Sequence, residues 1–128
     1  MSESPPDKQA VRRLLADVID SFEKLEIVMH VHRAGFKTPV ASELAKTISV
    51  PLDEVDASLQ ALAAARALDP KGPWRSAIDG LVRLYDEDRI EVMKLMTRTA
   101  LDRVRKEAAR VFADAFVLRP KKKGDPDA

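Results

Sequence analysis

The 128-residue chain is 45% hydrophobic and 34% charged, and its 22 basic against 21 acidic residues leave a net charge of +1. This length is typical of one domain, and the composition excludes an intrinsically disordered chain. No apolar run is as long as the roughly 18 residues that a helix needs to span a bilayer, so we expect no membrane partner. The chain has no cysteine, which excludes disulfides, thiolate metal sites and cysteine nucleophiles and favours a cytoplasmic location.

The N-terminal part of the chain predicts two helices. We expect residues 1–6 to be disordered, and Ser4-Pro5-Pro6-Asp7 to begin the first helix with Ser4 as its N-cap. An apolar stripe then runs as far as Met29, but Asp20 and the acid three residues later match a capping box and predict a break near Asp20. The second helix is predicted from about Ser21 to Arg33, ending at Gly35.

The middle of the chain predicts two shorter helices and a loop. One helix is expected over Ala41–Ile48 and a second over Leu52–Ala65, with Ser49-Val50-Pro51 as the turn between them. The loop over residues 69–73 contains two prolines and a glycine, which predict a tight loop, with a very short hairpin as the alternative. Trp74 is predicted to cover the core beneath this loop; the alternative is an exposed anchor for a partner.

The C-terminal part predicts a long helical extension over residues 76–117, with Ser76 as its N-cap. The β-branched residues of Thr97-Arg98-Thr99 mark one place where this stretch could break, so the sequence leaves one helix or two open. Residues 118–128 are predicted to be a disordered basic tail.

The spacing of apolar residues within 40–75 carries a family resemblance. The positions are Leu44, Ala45, Ile48, Val50, Pro51, Val55, Leu59, Leu62, Ala67 and Leu68. Over about 55 residues, 21–75, this pattern resembles the winged helix-turn-helix of bacterial transcriptional regulators. The C-terminal sequence, including Leu84-Tyr85, is similar to small bacterial winged-helix proteins with a helical extension. The resemblance implies a mainly α fold, in which residues 7–75 form an N-terminal helix plus a winged helix-turn-helix with a very short β wing, and long C-terminal helices follow over 76–117. It also implies binding to double-stranded DNA.

Two features depart from that family. Arg66 stands where such regulators usually carry a glycine, so we expect the helix to end later or the turn to be wider. Residues 40–70 hold five acids and two bases, and the predicted second helix exposes Asp53 and Asp56 but no base. Such a surface repels phosphates, although Gln60 has the side chain that reads adenine. A solvated amphipathic helix is the plainer interpretation.

The basic residues of the chain are concentrated in its C-terminal part. Ten bases and three acids lie between Lys94 and Lys123. Such a concentration is typical of a polyanion-binding surface, although a solvated helix face is the common alternative. The predicted nucleic-acid-binding residues are Gln60, Lys71, Arg75, Arg103, Lys106 and Arg110.

The apolar stripe from Ile78 to Phe116 is long for one small domain to cover. Although core packing is the default for such residues, the uncovered part predicts a homodimer interface. Its predicted residues are Met93, Met96, Leu101, Val104 and Phe112.

The sequence predicts neither catalysis nor a cofactor or metal. His30 and His32 lie two residues apart, so on a helix they point to different faces. Asp86-Glu87-Asp88 is expected to be a solvated turn or helix face. The leading interpretation is therefore a non-enzymatic, dimeric, DNA-binding regulator. The alternative is a winged-helix adaptor that binds a protein partner through helix 52–65 and does not bind DNA.

Overall fold

The computed structural model describes the chain over residues 7–123, and its side chains as far as Ala115. The described residues form six helices and no strand, which confirms a mainly α fold. They are α1 (Lys8–Asp17), α2 (Phe22–Arg33), α3 (Ala41–Ile48), α4 (Leu52–Ala64), α5 (Arg75–Glu87) and α6 (Arg89–Lys123). None of these helices is both long and apolar enough to cross a membrane.

Local capping fixes the ends of α1 and α2. The carboxylate of Asp7 accepts hydrogen bonds from the backbone N–H groups of Gln9 and Ala10, so Asp7 and not Ser4 is the N-cap of α1. Ser4 lies outside the described residues. The predicted break between the first two helices is present, and the hydroxyl of Ser21 caps α2 by accepting from the N–H of Lys24 at 3.2 Å.

Helices α3 and α4 follow the predicted boundaries closely. They are joined by a three-residue turn and pack on each other and on α2. Leu44 of α3 and Val55 and Leu62 of α4 are buried where the apolar spacing places them. Burial of these side chains supplies most of the stability of such short helices, because they are marginal in isolation.

The predicted β wing is absent from the described residues, since the chain from Ala65 to Trp74 forms turns. Arg66 has φ 62°, a left-handed conformation, so the predicted later helix end or wider turn at this position is wrong. Its N–H donates to the Ala63 carbonyl and the N–H of Ala67 donates to the Leu62 carbonyl, both at 2.9 Å. This is a Schellman motif, and it ends α4 by satisfying the last carbonyls of the helix.

The loop after the Schellman motif lies close against it. A Cβ atom on Gly72 would lie 2.5 Å from the Arg66 carbonyl oxygen, so the loop needs glycine there. Trp74 is half-buried and packs on the core, as predicted, and it is also the N-cap residue of α5. Ser76 is therefore inside the first turn of α5 and does not cap it.

The C-terminal extension is two helices, and they meet at Asp88 rather than at Thr97–Thr99. Asp88 is extended, with φ −154°, and its carboxylate accepts from the N–H of Glu91 at 3.1 Å. This capping interaction begins α6, which then continues without interruption through Thr99. Residues 86–88 are exposed, as predicted.

The six helices share one core built from two groups. Helices α1, α5 and α6 pack on one another, α2, α3 and α4 do the same, and α2 also contacts α5. Only the first part of α6 enters the core, through Val92, Leu95 and Met96. From Ala100 to Ala115 every side chain of α6 is exposed, and the helix extends to Lys123, beyond the predicted end at residue 117. Residues 1–6 and 124–128, predicted to be disordered, lie outside the described residues.

Candidate nucleic-acid interface

A groove of about 430 Å³ lies between α1 and the middle of α6. The two helices lie side by side, with Lys8 near Glu91 at one end and Leu15 near Arg103 at the other. We call this surface the basic groove. Its charged lining residues are Arg12, Arg13 and Asp17 of α1 and Arg98, Asp102, Arg103 and Lys106 of α6.

Five bases and two acids give the basic groove a net positive charge in a protein whose total charge is only +1. The five basic side chains are all exposed, so they are accessible to a ligand in solvent. Several guanidinium and ammonium groups around one concave surface attract a phosphate-bearing polymer. The sequence prediction named Arg103 and Lys106 here but missed the contribution of α1.

The arginine pair on α1 could be recognised only in part from the sequence. Arg12 and Arg13 lie between the buried residues Val11 and Leu14, so the helical period places both on the solvent side of α1. Nothing in the local sequence indicates that this side of α1 lies next to α6. The juxtaposition arises from the core contacts that α1 makes with α5 and α6.

Arg103 also has a structural role at the edge of the basic groove. Its Nη2 donates to the Leu15 carbonyl oxygen at 3.4 Å, near the C-terminus of α1. A cation at this end of a helix is favoured by the helix dipole. Burial opposes ionisation of Asp20, but the hydrogen bond and charge of Lys24 and, to a smaller extent, the charge of Arg103 outweigh it and lower the pKa of Asp20.

Arg110 lies one to two turns beyond Lys106 on α6 and is exposed. It is paired with Glu107 on the same helix, and this hydrogen bond and the charge of Glu107 raise the pKa of Arg110. The predicted set Arg103, Lys106 and Arg110 therefore lies along one exposed face of α6. Glu107 neutralises part of the charge at the outer end of that face.

The other predicted nucleic-acid residues lie elsewhere. Gln60 is exposed on α4, which packs against α2 and α3 and not against α1 or α6 within residues 7–123. Lys71 is exposed in the loop before α5, where its backbone N–H donates to Asp69 at 2.8 Å. The structure does not bring these two residues into the basic groove.

Arg75 is held against the protein. Its Nε donates to Asp79 at 3.0 Å, its Nη1 donates to the Pro70 carbonyl at 3.2 Å, and its guanidinium lies 4.6 Å from the centre of the Phe36 ring. These contacts join α5 to the preceding loop and to the end of α2. Arg75 thus has a structural role that its sequence position did not reveal.

His32 belongs to the same cluster as Arg75. Its Nε2 lies 2.9 Å from the Asp79 carboxylate, and its ring packs edge-on against Phe36. Partial burial opposes ionisation of Asp79, but hydrogen bonds from Arg75 and His32 outweigh burial and lower the pKa of Asp79. This hydrogen-bonded cluster fastens α2 to α5.

The surface of α4 has the opposite charge to the basic groove. Asp53, Glu54 and Asp56 are exposed in its first two turns, and α4 contains no basic residue. In a helix-turn-helix protein this helix would face the DNA groove, where its carboxylates are repelled by phosphates. The acidic surface predicted from the sequence is therefore present on the folded helix.

The predicted dimer residues separate into buried and exposed groups. Met96 is only 7% exposed and belongs to the core, while Met93 is half-buried against it. Leu101, Val104 and Phe112 are 50%, 64% and 63% exposed. An apolar surface on the outer part of α6 is thus available to a partner, whereas Met96 is not.

Among residues 7–123, no group of three or more histidine, aspartate or glutamate side chains is arranged to hold a metal ion. Comparison with known proteins gives no match to this chain, whether against family models, curated sequences or solved structures.

Proposed function

We propose that this protein is a non-enzymatic, cytoplasmic, dimeric regulator that binds double-stranded DNA, and that the basic groove makes the main contact. In this proposal α2, α3 and α4 form a helix-turn-helix unit without a β wing. The dimer forms through the exposed apolar face of α6. DNA lies along α1 and α6, and the acidic surface of α4 faces away from it.

The observation that supports this proposal is the convergence of basic residues from distant parts of the chain. Arg12 and Arg13 join Arg98, Arg103 and Lys106 across some 90 residues of sequence. Phosphate contacts supply a large share of the affinity of DNA-binding proteins, and they require several cations on one surface. No other helix group concentrates positive charge in this way among the described residues.

The test is binding of labelled double-stranded DNA, measured by fluorescence anisotropy over a series of salt concentrations. We expect log Kd to rise linearly with log salt, with a slope of about 0.9 per phosphate neutralised. The variant with Arg12, Arg98 and Lys106 all changed to glutamate should lose binding, because it reverses three charges within the groove. No binding at about 50 mM salt would refute the proposal, since weak phosphate contacts are detectable there.

A matched control separates the groove from net charge. Lys37, Lys46 and Lys71 are exposed on the opposite helix group and its loops, and changing all three to glutamate alters the total charge by the same amount. This control should retain most of the affinity, with a decrease of only a few-fold. An equal loss in both triple variants would show that DNA responds to total charge, and the groove would no longer explain binding.

The acidic surface of α4 favours a second candidate function. Asp53, Glu54 and Asp56 form an exposed negative surface that suits a basic protein partner and disfavours DNA. In that case the protein is an adaptor, and substituting lysine at positions 53 and 56 would abolish partner binding. For a DNA-binding protein the same double substitution strengthens non-specific DNA binding, because it removes repulsion.

A further inference from the structure

The outer part of α6 carries an apolar seam. Its members are Thr97, Leu101, Val104, Ala108, Val111 and Ala115, and all six are exposed. They recur at steps of four, three, four, three and four residues, the alternation that defines the a and d positions of a coiled coil. This spacing keeps the seam on one side of the helix. A long, narrow apolar strip of this kind fits a second helix better than a compact apolar ligand.

The seam lies on a helix that has left the core. Helix α6 packs against α1 and α5 within residues 7–123, and its last buried residues are Leu95 and Met96. Beyond Thr99 every described side chain is exposed. An isolated helical segment with no covered face is only marginally stable in water, so a stable α6 needs a partner on its apolar side.

The positions of the seam residues are symmetric about Lys106, which is also the midpoint of α6 (Arg89–Lys123). Val104 and Ala108 lie two residues on either side of Lys106, and Leu101 and Val111 lie five residues on either side. A second copy of α6 that runs in the opposite direction about this midpoint therefore places apolar residues opposite apolar residues. Leu101 then meets Val111 of the partner subunit.

Charge selects the antiparallel direction over the parallel one. Residues 86–91, just before and at the start of α6, contain four acidic residues and one basic residue, Arg89, and Asp86, Glu87 and Asp88 are exposed. The sequence 119–123 at the other end of α6 contains four basic residues and no acidic residue. Parallel pairing places like charges together at both ends, whereas antiparallel pairing places the basic end of each helix beside the acidic end of the other.

A groove beside the seam gives a partner helix a place to pack. It has a volume of about 280 Å³ and is lined mainly by Phe22 of α2 and by Met96, Ala100, Leu101 and Val104 of α6. Phe22 is 55% exposed at its edge. In antiparallel pairing the outer half of the partner helix lies along this groove.

We propose that two copies of this chain dimerise by antiparallel pairing of α6 along the seam, with the two-fold axis passing near Lys106. The proposal specifies the dimer that the proposed function invokes, and it rests on that part of the function alone. Lys106 and Arg103 lie on the side of α6 away from the seam, so the basic groove stays open in the dimer. Dimerisation is therefore measured without DNA. A failure of the dimer proposal is then distinguishable from a failure of the DNA-binding proposal.

The first experiment is sedimentation velocity of the full chain over a micromolar concentration series. The unmodified protein should sediment as a dimer, and the double variant Leu101→Glu, Val111→Glu as a folded monomer. The matched control is Ala109→Glu, Ala113→Glu, which places two acids on the opposite side of the same helix and should leave the dimer intact. An unmodified protein that is monomeric throughout, or a control that dissociates equally, overturns the proposal.

The second experiment determines direction, and it is simple because the chain has no cysteine. Chains carrying Leu101→Cys are mixed with chains carrying Val111→Cys and oxidised. Antiparallel pairing gives a mixed disulfide and little self-linked Leu101→Cys product, because the two sulfurs of like chains lie about ten residues apart along the helices. Efficient linkage of Leu101→Cys to itself indicates parallel pairing and refutes the antiparallel arrangement.

Discussion

Replacing Arg66 by glycine should stabilise this protein, although the change removes an ion pair. Arg66 has φ 62° at the end of α4, a conformation in which its Cβ is crowded by the backbone. The hydrogen bonds of the Schellman motif hold this conformation in place, and neither of them involves the Arg66 side chain. Glycine keeps both hydrogen bonds and removes the steric conflict.

The magnitude follows from three contributions. Relief of the left-handed conformation contributes about 1–2 kcal/mol in favour of glycine. The greater freedom of glycine in the unfolded chain opposes this by about 0.4–1 kcal/mol. The ion pair from Arg66 to Asp69 at 3.1 Å is solvent-exposed, so its loss opposes the gain only slightly. The net expectation is an increase of about 0.5 kcal/mol in the free energy of unfolding.

The assay is urea unfolding followed by far-ultraviolet circular dichroism, at one protein concentration because a dimer makes stability concentration-dependent. Arg66→Ala is the control that isolates the backbone effect: it also loses the ion pair but keeps the strained conformation. Arg66→Gly should therefore be about 1 kcal/mol more stable than Arg66→Ala, with an unchanged denaturant slope. Equal stability of the two variants would refute the argument that residue 66 is strained.

Two further predictions concern the α5–α6 junction and the cluster that joins α2 to α5. Asp88→Ala should lower the free energy of unfolding by about 1 kcal/mol, because the N–H of Glu91 loses its capping carboxylate. Asp88→Asn should keep most of the stability, because its amide oxygen can accept the same hydrogen bond. Asp79→Asn should destabilise the protein at neutral pH. The lowered pKa of Asp79 means that its contribution is complete above the ordinary carboxyl value of 3.8 and is lost as the pH falls below it. Urea midpoints of the Asp79→Asn variant and the unmodified protein should therefore converge in acid; a constant difference would exclude ionisation of Asp79 as the cause.

Short-range sequence signals predicted much of the fold correctly. The order of the first four helices, the turn at Ser49-Val50-Pro51 and the half-buried Trp74 follow from apolar periodicity and turn chemistry, which act within a few residues. The boundary between α5 and α6 was missed although the local signal was present. Asp88 and Glu91 have the spacing of a capping box, but the apolar spacing across them continues and concealed the break.

The prediction of the turn at Arg66 was wrong for a different reason. Glycine is the usual left-handed residue at a helix C-terminus, so an arginine there predicted a wider turn. The structure shows that burial of Leu62 and Ala67 and the two backbone hydrogen bonds impose the left-handed conformation on a residue that does not favour it. The stability of the core outweighs the local preference.

The amino-acid sequence by itself determined the helices, their buried faces and the acidic surface of α4, because each depends on residues three or four positions apart. Only the tertiary structure decided which surfaces adjoin. It placed Arg12 and Arg13 beside Arg98, because α1 packs on α6. It placed Arg75 over the Phe36 ring, and it put Met96 in the core while leaving the rest of the seam side of α6 exposed. These outcomes depend on contacts between residues far apart in the chain, which local periodicity does not encode.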